Sequence, residues 1–245
     1  MSKKLFCKSI KNGSLVDKFA LKHDINILKD FKFTYLGENL LLHPLKAIFW
    51  ERPKILLIAD LHLGKAAHFR KSGIPIPESV HGPDLDRLEQ LCNNYRPDRI
   101  IFLGDLFHSL KNSSWKTFKD FCDQKIEIKP ELILGNHDIL DSFEYSFLQI
   151  HTTNLQLEPF ILSHKPLPIE LMNSQYNLCG HLHPSVKISG FAKQSLRVEC
   201  FHFGKNHGIL PAFGSFTGTS KMPTNRYSDR NFAVTNGKII PLSRK

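Results

Sequence analysis

Short apolar runs, each closed by a polar residue, recur along the chain. Ile55 to Ala59 is the clearest, followed by Ile100 to Leu103 and Glu131 to Leu134. A continuous apolar run of strand length predicts a strand buried on both faces. Between these runs the spacing changes to that of helices. Asp84 to Tyr95 places Leu85, Leu88 and Leu91 on one face, with Asp84 as candidate N-cap. Ser113 to Asp123 does the same with Trp115, Phe118 and Phe121 behind a capping serine. The order strand, helix, strand, helix, strand predicts a parallel sheet with right-handed crossovers. Upstream, Phe33 to Leu42 and Ala47 to Trp50 are expected to pair across His43-Pro44. Downstream, strands are expected at Leu155 to Ser163, Tyr176 to Cys179, Val186 to Ser189, Leu196 to Phe203, Ile209 to Phe216 and Phe232 to Pro241. The last carries Asn236-Gly237 as a hairpin signal. Ser72 to Glu78 holds two prolines and is not a regular helix. The pattern predicts an α/β domain over residues 33–245, with two sheets packed face to face and helices outside. Residues 1–32 follow neither period and read as an appended extension.

The polar residues that close the runs are of one kind. Asp60-Leu61-His62 follows the first run. Gly104-Asp105-Leu106-Phe107-His108 follows the second, and Gly135-Asn136-His137-Asp138 the third. His164 closes Phe160 to Ser163, and Gly180-His181-Leu182-His183 follows Asn177 to Cys179. Open α/β sheets bind ligands outside the carboxyl ends of their strands. Carboxylate, carboxamide and imidazole groups gathered there form a metal site. Glycines directly before the ligand-type residues permit tight turns and close backbone approach.

Composition narrows the class further. Hydrophobic residues make up 41% of 245, enough for a sizeable core, yet no apolar run reaches membrane-spanning length. The first residues, Met1-Ser2-Lys3-Lys4, lead into no signal-like apolar segment. Five cysteines without a CxxC pair point to free thiols in a reducing cytoplasm. Net charge is +10, which favours an anionic partner such as nucleic acid. Residues 1–32 hold eight lysines against Asp17, Asp24 and Asp30, a net +5; the rest holds 25 basic and 20 acidic residues, also +5. Half of the excess therefore sits in the basic extension.

The five motifs resemble the signature of the calcineurin-like metallophosphoesterases: Asp-x-His, Gly-Asp-x-x-(Asp/His), Gly-Asn-His-(Asp/Glu), His and Gly-His-x-His. The resemblance implies a four-layer αββα sandwich with two metals at the sheet edge. It assigns Asp60, His62 and His183 to one metal, Asn136, His164 and His181 to the other, and Asp105 as the bridge. A bridging carboxylate offsets the repulsion of two cations about 3.5–4 Å apart. Oxygen and imidazole donors without thiolate suit Mn, foremost here, or Fe, Co, Ni or Zn. The implied chemistry is phosphodiester hydrolysis by a hydroxide that the two metals activate. His137 resembles the histidine that protonates the leaving oxygen, with Asp138 orienting it; a ligand or supporting role for His137 is the alternative. His108 stands where many relatives carry aspartate, and would orient a ligand, contact phosphate or support its loop. Arg70 is either a phosphate contact or a solvated helix charge, and His68 and His81 read as surface residues.

Further runs narrow the resemblance: Leu40 to Trp50, Ile58 to Ala67, Gly73 to Glu78, Gly104 to Ser109, Gly180 to Pro184 and Leu210 to Gly218. Together they are similar to the ligase-associated DNA damage response endonucleases. That similarity implies a DNA-cleaving repair enzyme acting beside an ATP-dependent DNA ligase, a DEAD/DEAH-type helicase and an exonuclease. The alternatives are a small-molecule phosphodiesterase or phosphatase, and a non-catalytic scaffold. Leu210 to Gly218 itself reads as a core strand and tight turn ahead of a substrate contact.

Overall fold

The computed structural model describes residues 28–65, 82–108, 113–138, 145–189, 194–215, 217–222 and 229–242. The expected extension, apart from its last residues, and Arg70, His68 and His81 lie outside them. Two mixed sheets face each other. The first runs in spatial order β1 (Phe31–Tyr35), β2 (Glu38–His43), β3 (Ala47–Trp50), β4 (Ile55–Ile58), β5 (Arg99–Leu103), β6 (Lys129–Ile133) and β7 (Gln149–His151). Its first four strands are antiparallel and β4 to β7 are parallel. The crossovers are α1 (Gly82–Tyr95) between β4 and β5, and α2 (Ser113–Gln124) between β5 and β6.

The second sheet is built around the parallel pair β9 (Phe160–Ser163) and β10 (Tyr176–Cys179), with β8 (Leu155–Leu157) on its edge. It continues through β13 (His207–Ile209) to β12 (Ser195–Phe203), β11 (Pro184–Ser189) and β14 (Ser220–Lys221). The hairpin of β15 (Arg230–Thr235) and β16 (Lys238–Leu242) joins β12. This is the expected α/β sandwich. Among the described residues, both α-helices lie over the first sheet, and no helix is long and apolar enough to cross a membrane.

The unbroken apolar character of Ile55 to Ala59 now has a cause. Ile55, Leu57 and Ala59 enter the core between the sheets with Ile101, Leu103, Phe160, Leu162, Leu178 and Phe201. Leu56 and Ile58 point the other way, into the layer formed with Leu85, Leu88, Leu91 and Phe118 of the helices. Successive strand residues face opposite sides, and here both sides are covered. Each such buried Ile, Leu or Phe side chain contributes about 1.5–3 kcal/mol relative to exposure.

Four expectations are corrected. Phe33 to Leu42 is two strands, because Leu36 (φ 51°) and Gly37 (φ 80°) form a tight hairpin turn with both residues left-handed. Leu155 to Ser163 is likewise divided by a turn at Glu158-Pro159. The fold begins before residue 33: β1 starts at Phe31, and the Lys29 N–H bonds to the Gly237 carbonyl at 2.9 Å. Asp84 lies inside the first turn of α1, not at its cap, since the helix begins at Gly82. Cys92, Cys122, Cys179 and Cys200 are free, and burial pushes the Cys92 and Cys122 thiols up to about 12, well away from reactivity.

Candidate metal centre

All five motifs meet at the carboxyl ends of β4, β5 and β6 in one sheet and of β9 and β10 in the other. The turns that follow these strands are tight. Asp60 (φ 52°), His62 (φ 49°), Asp105 (φ 49°), His181 (φ 67°) and His183 (φ 46°) all adopt the left-handed region. Non-glycine residues rarely do so, and such strain gathers at functional sites. The loops are locked together by main-chain bonds: His62 N–H to the Asp105 carbonyl at 2.9 Å, Leu63 N–H to Leu106 at 2.8 Å and His108 N–H to Leu63 at 3.0 Å. The motif glycines leave room for the donors. A Cβ at Gly104 would strike the His164 ring, one at Gly135 would strike Asp105, and one at Gly180 would strike the Asp60 carboxylate.

Two groups of donors result. In the first, Asp60, His62 and His183 bring their donor atoms within 4.8 Å of one another. His183 Nε2 lies 3.4 Å from Asp60 Oδ1. Asp60 Oδ1 and His62 Nε2 are buried without a hydrogen-bond partner. A buried orphan carboxylate oxygen beside a buried orphan imidazole nitrogen is costly, and a cation between them removes the cost. In the second group, Asp105, His164 and His181 converge likewise. His164 Nε2 is 3.0 Å from His181 Nδ1 and 3.1 Å from Asn136 Oδ1. Asp105 Oδ2 lies 3.8 Å from His62 Nε2 and 3.5 Å from His164 Nε2, and so stands between the groups.

The other ring nitrogens are positioned by the main chain. His164 Nδ1 meets the Leu103 carbonyl at 3.0 Å, and His183 Nδ1 meets the Gly218 carbonyl at 2.9 Å. Such bonds fix the tautomer and leave Nε2 to face a cation. Burial, with Lys65 and the neighbouring histidines adding to it, drives the His62 pKa down to about 2, so its lone pair is available at neutral pH. Burial also lowers His181. For His183 burial works in the same sense and is the largest single effect, but the Asp60 carboxylate and the Gly218 carbonyl together outweigh it and the pKa is raised.

His137 sits over the site. Its N–H donates to Asp105 Oδ1 at 2.9 Å, and its ring stacks on His108 with centroids 5.1 Å apart. His108 Nδ1 lies 3.4 Å from His62 Nδ1. The expected role of Asp138 is corrected. Its carboxylate accepts the Phe107 N–H at 3.0 Å and the Gly135 N–H at 2.9 Å, tying two motif loops together instead of orienting the His137 ring. Burial raises its pKa to about 6.

One feature was missed from the sequence, and one expectation is corrected. Lys65 is half-buried, where burial lowers its pKa while Asp105 and Asp60 pull it upward. Its signal was its place in the loop of the first motif. The correction concerns the segment after β13. Residues 210–215 are no core strand: the Phe213 and Gly214 N–H groups reach the Ala59 and Asp60 carbonyls at 2.8 and 3.1 Å, and Gly214 packs on the Leu61 carbonyl too closely for a Cβ.

This arrangement belongs to a known class. Residues 53–218 match the model of the calcineurin-like phosphoesterases, and the chain is a member of that family, a metal-dependent phosphoester hydrolase. Among solved structures it is similar to the nuclease MPE of Pseudomonas putida, at 29% identity and a TM-score of 0.74, covering 87% of this chain and all of that one. No curated protein matches it.

Proposed function

We propose that the chain is a phosphodiesterase that cleaves DNA internally and serves in DNA repair. The observation that carries the metal chemistry is the position of Asp105 Oδ2 between two donor groups, 3.8 Å from His62 and 3.5 Å from His164. In this reading Asp60, His62 and His183 would hold one divalent cation and Asn136, His164 and His181 a second, with Asp105 serving both groups. Two such cations, manganese in this reading, supply Lewis acidity to the phosphate and bring the pKa of water near neutrality.

The chain's own groups do the rest. His62 is neutral and oriented by His108. Asp60 Oδ2 accepts the His181 N–H at 2.8 Å, so the two sheets' ligand loops hold each other in place. His137 is positioned at its main chain by Asp105, and its ring stands beside His62 at 5.4 Å between centroids. It gives a proton to the leaving oxygen. DNA as substrate is supported by the net charge of +10 and by the likeness to a protein described as a nuclease.

The test is Mn²⁺-supplemented hydrolysis of linear, circular, nicked and flapped DNA, an aryl phosphodiester and a phosphomonoester, by wild type and Asp105→Asn. Circular DNA should be cut and the aryl diester hydrolysed, both only by wild type. Ester hydrolysis with every DNA intact would instead indicate a small-molecule enzyme. Metal uptake with no hydrolysis of any substrate would indicate a scaffold.

A further inference from the structure

We propose that Asp84 and Arg87, on a helix that supplies no ligand, are positioning residues for the first metal group alone. The inference rests on the reading that Asp60, His62 and His183 hold a cation. It follows from two short described stretches, residues 213–215 and 217–218, which touch that group twice. In the first, the Phe213 and Gly214 N–H groups hold the Ala59 and Asp60 carbonyls, where β4 turns left-handed to present the Asp60 carboxylate. In the second, the Gly218 carbonyl meets His183 Nδ1 and fixes which nitrogen faces the site. Thr217 Oγ1 closes the turn on the Gly214 carbonyl at 3.1 Å. Neither stretch touches Asn136, His164 or His181 through the bonds described above.

Residues 213–215, 217 and 218 lie in no strand, so something else must hold them. Asp84 and Arg87 do. Asp84 Oδ1 accepts the Ser215 hydroxyl at 2.5 Å, and Oδ2 accepts the Ser215 N–H at 3.2 Å. Arg87 donates to the Phe213 carbonyl at 2.6 Å and to Asp84 at 2.6 Å, with its guanidinium 4.6 Å from the centre of the Phe213 ring. Asp84 is buried and Arg87 largely so, and each would leave the other without its charge partner if removed. Releasing this clamp frees Phe213 and Gly214 from the Asp60 main chain and the Gly218 carbonyl from the His183 ring. Apart from the His181 N–H on Asp60 Oδ2, each metal group has a support of its own: the second leans on the Leu103 carbonyl within the sheet, the first on a helix through an irregular loop.

The experiment separates the groups. His164→Ala leaves only the first, and His62→Ala only the second. Mn²⁺ alone is titrated calorimetrically into each, with and without Arg87→Ala. Arg87→Ala should weaken binding about 10- to 100-fold in the His164→Ala background, the usual scale for a group supporting a ligand, and leave the His62→Ala background unchanged. Ser215→Ala, at an exposed position, should give the same pattern with smaller amplitude and carries the test if Arg87→Ala does not fold. Equal weakening in both backgrounds would make the clamp a general stabiliser and overturn the proposal, as would no weakening in either. If the His164→Ala chain binds no Mn²⁺ while the His62→Ala chain does, the metal assignment of the first group is itself wrong, and the proposal falls with it.

Discussion

Asp105 and His164 face each other across the seam between the two sheets, with 3.5 Å between Oδ2 and Nε2. One ends a strand of the first sheet and the other a strand of the second, 59 positions later in the chain. The same Asp105 oxygen is 3.8 Å from His62 Nε2. Asp105→Asn keeps the shape and the acceptor for the His137 N–H but removes the charge between the cations. Bound Mn²⁺ should fall from two per chain to one or fewer, measured by elemental analysis. Turnover should fall by at least about 10²-fold, the scale of losing one electrostatic group in an active site.

His137 has its main chain, not its ring, tied to Asp105. His137→Ala should therefore retain both metals while losing rate on substrates with poor leaving groups by about 10²–10⁴-fold, the range of general acid catalysis. An aryl phosphodiester, whose leaving group needs no proton, should be affected much less. Equal losses on both substrates would remove the proton-donor role, and loss of a metal would make His137 a ligand.

Asp138 sets a pH dependence. Its folded pKa, raised by burial to about 6, exceeds the ordinary 3.8. The folded state thus binds the proton more tightly, and the contribution to stability is full below 3.8 and lost as pH rises to 6. Two pKa units correspond to about 3 kcal/mol. Asp138→Asn cannot titrate there. In denaturant unfolding of metal-free protein, the stability of wild type relative to Asp138→Asn should decline between pH 4 and pH 7. A flat difference would show that Asp138 ionises normally.

The basic extension is expected to add DNA affinity and no chemistry. Residues 1–27 hold Lys3, Lys4, Lys8, Lys11, Lys18 and Lys22 against Asp17 and Asp24. The cut stops at residue 27, because Lys29 pairs with the loop at Gly237. Each lysine on a phosphate contributes roughly −0.9 to the slope of log affinity against log salt. Deleting residues 1–27 should weaken DNA binding and flatten that slope, while hydrolysis of an aryl phosphodiester stays within about twofold, since every motif is retained. An unchanged slope would dispose of the binding role.

The sequence alone determined the strand ends and the chemistry placed on them. A strand covered on both faces must be apolar throughout, so Ile55 to Ala59 and Ile100 to Leu103 announce themselves, and the polar residue that ends each run stands at the sheet edge. The hairpin turns were less legible. Leu36 and Lys46 take left-handed conformations without being the residues that favour them, because the paired strands on either side impose the turn.

What only the tertiary structure decided was which groups support the site. Asp84 reads locally as a helix cap, yet its carboxylate is spent on Ser215, 131 positions away. Asp138 reads as the partner of the adjacent histidine, yet it accepts main-chain N–H groups from two loops. Ile209 to Phe216 reads as a strand, yet Phe213 and Gly214 lie against the Asp60 turn and Gly218 reaches His183. Periodicity reports burial and residue type reports chemistry, and both are local. A hydrogen bond to a main-chain group leaves no mark in the residue that supplies the N–H or the carbonyl, so these supports became visible only when the chain brought the two sheet edges together.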